Sequence, residues 1–538
     1  MKSDSRTSGL EESEKLRAHH AIERVPTGVA AFVGRTLKGP VNRAMPIASF
    51  SEFQHLFGGL WQPSTLSYAI DHFFENGGRK AYVVRVVNAA HPPTITLPGA
   101  GGNLRLIGLH PGSREYLRAS VDYDGIGESD REHFNLVIQR VRSAGSELIE
   151  DQEIFRRLSV RAESARFVMV LLLESQLARA LAPMPSERPD RSTTGMGRMP
   201  VGYALSNPDG DDGAPLTDYD VIGSAVECTG LFALREATEF NLLCIPPLSR
   251  EHDVGLSTLL VAARFCRDRQ AILLVDPPAS WISPRVALTA LRNWPFRSDN
   301  AVMYFPRVQS FDRLRGRPET FASCGAAAGM IARADETWPL WSAAETEELL
   351  LRPGLRPAAV VSDAERVRLT QVGVNTLLST RSSLRPGLSP RTLAAGGSGT
   401  ADWKYLSARR LALFVAACIE QGTRWTLLEP NIPAMWERAR ELVDGFLDGL
   451  AQQGAFTGAS PEESHFVITD DRVNREESVA QGKFNLLYGF ATSKPGEFDT
   501  WLVTQQAGAA RTRPVSVNRL ATSRQRVEWE IETSILRS

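Results

Sequence analysis

Between residues 241 and 305 the chain alternates short, almost wholly apolar runs with longer amphipathic ones, and this alternation constrains the fold more than any other feature. Asn241–Ile245 (NLLCI) predicts a strand stopped by Pro246-Pro247, and Ala271–Val275 (AILLV) predicts a second, stopped by Asp276-Pro277-Pro278. Ala301–Phe305 predicts a third, and Leu256–Arg267 and a stretch around Arg285–Asn293 are helical between them. A strand that is apolar at every position needs cover on both faces. Such strands joined by helices form a mostly parallel sheet between two helical layers.

The N-terminal region follows the same logic. Gly28–Val33 predicts a buried strand, and Ser49 opens a Ser-x-x-Glu capping box with Glu52 that Gly58-Gly59 closes. Leu66, Ala69, Ile70 and Phe73 share one face of a helix over about Thr65–Asn76, and Ala81–Val87 is the next strand. From about residue 90 the character changes to strand-like runs, Tyr116–Tyr123, Phe134–Val141 and Phe167–Leu173, with polar spacers. Residues 182–215 are rich in Pro, Gly, Ser and Asp and read as a linker, so 90–215 is expected as an inserted domain with a mobile return. Near the C-terminus, Tyr405–Gln421 is a helix capped by Gly422, Trp425–Leu428 a strand, Met435–Gln453 a long amphipathic helix, and Phe466–Thr469 and Phe484–Phe490 strands. The fold class expected is mixed α/β (α+β).

Charge and composition narrow the function. Lys and Arg number 61 against 62 Asp and Glu, so no bulk field attracts nucleic acid or a membrane surface. The apolar runs Phe167–Leu173 and Leu411–Ile419 fall short of the roughly 18–20 residues that cross a bilayer. The polar start of the chain lacks the apolar stretch of a secretory signal. Five cysteines without a CxxC pair read as buried thiols in a reducing compartment.

Motifs for chemistry do not come together. Gly28–Gly34 followed by Arg35-Thr36 has five apolar strand formers between its glycines and Arg in place of the P-loop Lys, so it reads as a strand entering a turn. Neither Gly99–Gly102 nor Gly396–Gly399 follows a strand and opens a helix. HExxH and Gly-x-Ser-x-Gly are both absent. No catalytic residue, metal or cofactor is expected.

Two patterns lack a simple explanation in one soluble subunit. On the long helix, Glu437, Glu441, Asp444 and Asp448 form an acidic ridge, and Gly445 and Gly449 interrupt the same helix at about 1 kcal/mol each relative to Ala. A solvated face is one reading; a contact surface that a cationic partner approaches closely is the other. Near the C-terminus, Val527, Trp529, Ile531, Thr533 and Ile535 alternate strictly with polar residues, which is strand periodicity suited to completing another sheet. An edge strand of the chain's own fold is the alternative.

Several segments in order resemble the tail-sheath family of contractile phages, R-type bacteriocins and related injection systems. They are Pro26–Thr36, Gly39–Asn42, Phe50–Phe53, Phe57–Gly59, Phe73–Val86, Asn241–Pro246, Leu274–Pro278 and Gly373–Asn375. The C-terminal block adds Trp403–Leu411, Glu420–Trp425, Glu429–Asn431 and Phe490 with Lys494–Phe498. The resemblance implies a discontinuous sheath core domain with helices around a β-sheet, an inserted β-rich protruding domain and extended terminal arms. The divisions expected are an N-terminal arm over 1–24, core over 25–89, the protruding insertion over 90–215, an α/β middle domain over 216–395, C-terminal core over 396–510 and a strand-donating arm over 511–538. Residues 1–24 depart from the family's apolar opening segment, and only Ile22 and Val25 are suited to pairing.

The function implied is a structural sheath subunit that polymerises around an inner tube and contracts to drive it through a target envelope. The partners implied are other copies of the chain, the tube protein, and baseplate and terminator proteins. Assembly would occur in the bacterial cytoplasm, in a virion tail or an extracellular phage-tail-like particle. A sheath-like baseplate or cap protein and an α/β nucleotide- or sugar-binding enzyme are the alternatives; the enzyme would need a convergent polar cluster at the strand ends.

Overall fold

The computed structural model describes residues 21–192, 202–342, 347–381, 388–396 and 401–515. The first strands are β1 (Ala30–Gly34), β2 (Met45–Ile47) and β3 (Ala81–Arg85), with helices α1 (Phe50–Phe57) and α2 (Thr65–Glu75) between β2 and β3. Ser49 Oγ caps α1 by accepting from the Glu52 N–H, the Glu52 carboxylate accepts from the Ala48 N–H one residue before the cap and so does not close a reciprocal box, and Gly58 ends the helix in the left-handed region at φ 89°.

Residues 94–205 supply seven further strands: β4 (Thr94–Leu97), β5 (Leu104–Gly108), β6 (Leu117–Asp122), β7 (His133–Val141), β8 (Ile149–Ser159), β9 (Ala178–Leu181) and β10 (Ala204–Leu205). They form a three-stranded sheet, β4-β5-β9, and a four-stranded sheet, β10-β6-β7-β8. Leu106, Leu136, Ile138 and Leu158 belong to a core of their own between these sheets. The chain enters and leaves this unit side by side, Ala214 N–H donating to Asn88 O (2.8 Å) and Asp211 N–H to His91 O (2.9 Å). Polar contacts join it to the rest: Lys38 Nζ to Glu150 (2.5 Å), Arg35 to Asp212 O (2.7 Å) and Arg85 to Pro111 O (2.8 Å).

Two expectations for this region are corrected. Phe167–Leu173 is not a strand: Val168–Leu171 is a short helix, and Val168 and Leu172, four apart, are the residues it buries. The described parts of 182–215 are not a mobile return. Asp190 N–H donates to Pro98 O, Ser192 N–H to Val121 O, β10 pairs with β6, and the Asp209 carboxylate accepts from the N–H and hydroxyl of Thr94. Side-chain hydrogen bonds from Asp and Ser hold what lacks apolar periodicity.

The alternation seen in the sequence then builds the main sheet. Its remaining strands are β11 (Leu242–Cys244), β12 (Ile272–Val275), β13 (Ala301–Phe305) and β17 (Val374–Thr376). The hairpin β14 (Val308–Asp312) and β15 (Arg317–Phe321) follows β13 and is joined by β16 (Arg356–Pro357). Helices α3 (Leu256–Asp268), α4 (Pro284–Leu291), α5 (Cys324–Thr337) and α6 (Asp363–Gln371) lie between the strands. The sheet runs β17-β13-β12-β11-β1-β3-β2, parallel except for β2 at its edge, so segments 25–89 and 216–395 share one sheet.

Successive residues of β1, β3, β11, β12 and β13 enter opposite cores. Phe32, Cys244, Leu274 and Tyr304 face one; Val33, Leu243, Val275 and Phe305 face the other. Burial pushes the thiols of Cys266 and Cys324 far up and that of Cys418 to about 12, as inert core residues require. Cys228 alone among the five is half-buried.

The C-terminal part comprises α7 (Leu406–Gly422), α8 (Pro433–Gln452) and an antiparallel sheet of β18 (His465–Ile468), β19 (Phe484–Phe490), β20 (Asp499–Gln506) and β21 (Ala509–Pro514) in that order. The strand expected at Trp425–Leu428 is a 3₁₀ helix, Arg424–Leu428, because the N–H and hydroxyl of Thr426 both return to Thr423 O.

Arg409 of α7 locks this part to the main sheet. Its side chain is 1% exposed, its Nη2 donates to Asn300 Oδ1 (2.5 Å) and lies 3.2 Å from Asp299, and its guanidinium covers the rings of Trp403 and Trp501. Asn300 precedes β13 and Trp501 lies on β20, so one cation bridges both sheets. Arg409→Ala is expected to destabilise the purified subunit by about 3–5 kcal/mol, read from denaturant unfolding; an unchanged midpoint would remove Arg409 from this role.

Candidate assembly interface

The acidic ridge lies on α8, whose Met435, Ala439, Val443, Leu447 and Leu450 are buried against the core. Glu437 and Glu441 are exposed, Asp444 and Asp448 half-buried. The structure adds compensation the sequence reading did not count: Arg440 pairs with Glu437 at 2.5 Å, and Arg438 pairs with Glu429. The buried His465 Nε2 lies 3.6 Å from Asp444.

The glycines of α8 contrast with an equally spaced pair elsewhere. In α5, a Cβ at Gly325 or Gly329 would collide with the carbonyl oxygens of Ala69 and Phe73 on α2, so close helix crossing demands both glycines. At Gly445 and Gly449 a Cβ would meet nothing within 4 Å. The subunit's own packing therefore does not require them.

The second candidate surface is the C-terminal sheet. β21 is its edge strand, exposed or half-buried along its length, and the described chain continues past it only to Val515, whose N–H donates to Thr500 O (2.9 Å). Val527, Trp529, Ile531, Thr533 and Ile535 lie outside the described residues. At the other end, Ile22 packs over Gly422, and Val25 N–H donates to Cys418 Sγ at 3.4 Å, so these residues lie along α7.

One place where an α/β enzyme would bind a ligand is filled by the chain itself, while a cavity of about 290 Å³ lies at the carboxyl ends of β11 and β12, lined by Ile245, Val275 and Asp276. Strand order reverses between β1 and β11, where doubly wound sheets take ligands at the carboxyl ends. Here the first turn of α2 fills the crevice, Ser64 Oγ donating to Arg35 O and Thr65 Oγ1 to Pro247 O. A cavity of about 730 Å³ beside residues 25–27 is lined by ionisable groups several of which are engaged within the chain: Arg269 donates to Leu234 O and Ala237 O, Arg410 pairs with Asp335, and Glu420 accepts from Thr512.

Sequence reasoning missed the β14–β15 hairpin and the Arg409 bridge. Val308, Phe311 and Phe321 around Gly316 signalled the first; the helical spacing Leu406, Arg409, Leu413, which puts Arg409 on the buried face, signalled the second.

Neither a family model nor a curated protein matches the chain. Solved structures do. The sheath tail protein Lin1278 from Listeria innocua aligns over 93% of this chain and 99% of its own, with TM-score 0.58 and 11% identity. The sheath complex of PVC, an extracellular contractile injection system, in its contracted state aligns over 89% and 91%, with TM-score 0.51 and 15% identity. The contracted helical sheath of the anti-feeding prophage aligns over 89% and 93%, with TM-score 0.50 and 16% identity. The likeness is one of fold, and it extends almost from end to end.

Gly445→Ala and Gly449→Ala are each expected to stabilise the isolated subunit by about 0.5–1 kcal/mol, measured by denaturant unfolding. A loss of stability would mean that the subunit itself needs these glycines.

Proposed function

We propose that this chain, which has the fold of contractile-sheath subunits, is a structural subunit that polymerises around an inner tube and contracts to drive it through a target envelope. The near end-to-end likeness to the Listeria sheath tail protein, 93% of one chain on 99% of the other, carries the proposal. Its partners are other copies of the chain, the tube protein, and baseplate and terminator proteins. Subunits assemble in the bacterial cytoplasm and end in a virion tail or an extracellular phage-tail-like particle.

Assembly follows from edges. β21 leaves an exposed rim on the C-terminal sheet, and Val527–Ile535 has the alternation of a strand that completes a neighbour's sheet. About five ladder bonds at roughly 0.5–1.5 kcal/mol net would give several kcal/mol per junction. A head-to-tail contact that does not close on itself yields a helical filament. Contraction is then a rigid-body repacking of cores from a trapped extended form, with the strand links as hinges. The protruding position falls to residues 90–215, and the ridge of Glu437, Glu441, Asp444 and Asp448 faces the tube or a neighbouring copy.

Deleting residues 520–538 is expected to leave a soluble, folded subunit that forms no tubes in negative-stain microscopy. Normal tubes would refute strand donation. Asp444→Lys with Asp448→Lys is expected to block co-assembly, and intact particles would return the ridge to a solvated face.

A further inference from the structure

The β14–β15 hairpin is built as a rigid, cationic projection. Gly316 turns it at φ 67°, with Gly316 N–H donating to Asp312 O at 2.8 Å. The Asp312 side chain, fully buried, accepts from Tyr68 Oη (3.0 Å), Arg250 Nη2 (2.8 Å), Leu314 N–H (2.9 Å) and Arg315 N–H (3.3 Å). The base of the hairpin is anchored on the rings of Tyr68 and Phe321, over which Arg250 lies. With Asp312 satisfied four times, the turn loses little conformational freedom on binding.

That fixed turn holds apolar and charged groups in water. Phe311 is 59% exposed and Leu314 47%, next to Arg313, Arg315 and Arg317. Among the described residues, these arginines pair with Asp71, Glu75 and Glu319 of the same chain and with no group on α8. An aromatic and an aliphatic anchor flanked by arginines is the composition of an interface hot spot.

The same chain carries a matching surface elsewhere. On α8, Glu441, Asp444 and Asp448 surround Gly445 and Gly449, where a Cβ would meet no described group of the same subunit within 4 Å. The charges are opposite, and the hairpin's protruding side chains have dents to enter. We propose that the β14–β15 hairpin of one copy docks on the α8 ridge of another, Phe311 and Leu314 seating over Gly445 and Gly449 while Arg315 and Arg317 meet Glu441 and Asp448. Two different patches on one chain make the contact heterologous, so it repeats from copy to copy, as a ring where the rotation closes and as a filament where it does not. The inference rests on the polymer proposed above and names the counterpart of its ridge.

The test is a charge swap in the full-length chain, read as the critical concentration for assembly by sedimentation, with tubes verified by microscopy. Arg315→Glu with Arg317→Glu, and separately Glu441→Arg with Asp448→Arg, are each expected to raise the critical concentration at least tenfold. Combining all four substitutions is expected to restore it to within about threefold of wild type. Denaturant unfolding of each variant identifies any that fails to fold; for such a pair, Gln replaces the reversed charge and the loss read is the same. Wild-type tubes with no rescue in the combined variant would overturn the inference while leaving the sheath function standing. So would ridge variants that self-assemble normally and lose only the tube protein. If wild-type protein forms no polymer, the proposed function itself fails.

Discussion

The central strands of the main sheet, β1, β3, β11, β12 and β13, have no free face, and that constraint organises the rest of the molecule. Each strand sends alternate residues into separate cores, Phe32 to one side and Val33 to the other, so helices must cover both sides. Once they do, the crevice at the strand-order reversal is closed by Ser64 and Thr65 of α2, the position where related architectures hold a ligand. A sheet buried on both faces and plugged at that crevice is well suited to carry load. What such a molecule offers to partners is its periphery: the edge of a second sheet, the outer face of α8, and a hairpin tip.

The peripheral parts are attached in different ways. The C-terminal sheet meets the main sheet through a desolvated guanidinium lying against two tryptophans that pack edge to face, a junction in which loss of one partner strands buried polar groups. The inserted sheets meet the core through ion pairs and carbonyl contacts, with a separate apolar cluster behind them. One attachment is bound into the core, whereas the other is a polar seam.

Much of this was legible from local chemistry. Continuous apolar strands such as AILLV announced the doubly covered sheet, and Ser49 announced the start of α1, although Glu52 bonds the Ala48 N–H and not the N–H of Ser49. The failures have physical causes. Phe167–Leu173 is apolar enough for either period, and only burial of Val168 and Leu172 settles it as helix. Thr426 folds Trp425–Leu428 into a 3₁₀ turn through bonds that hydropathy does not encode. The described parts of 182–215 looked like linker because they are held by Asp and Ser hydrogen bonds. At the candidate site, the ridge was visible as spacing, but the empty surroundings of Gly445 and Gly449 emerge only when the helix is packed.

The central claim is that order passes between copies through chain ends that complete foreign sheets. A cryo-EM reconstruction of the assembled particle, at a resolution that traces the backbone beyond Val515, tests it directly. The account predicts that residues Val527–Ile535 of one copy hydrogen-bond as a strand in the C-terminal sheet of another. Finding that segment folded back entirely onto its parent subunit, with no chain crossing between copies, would contradict it.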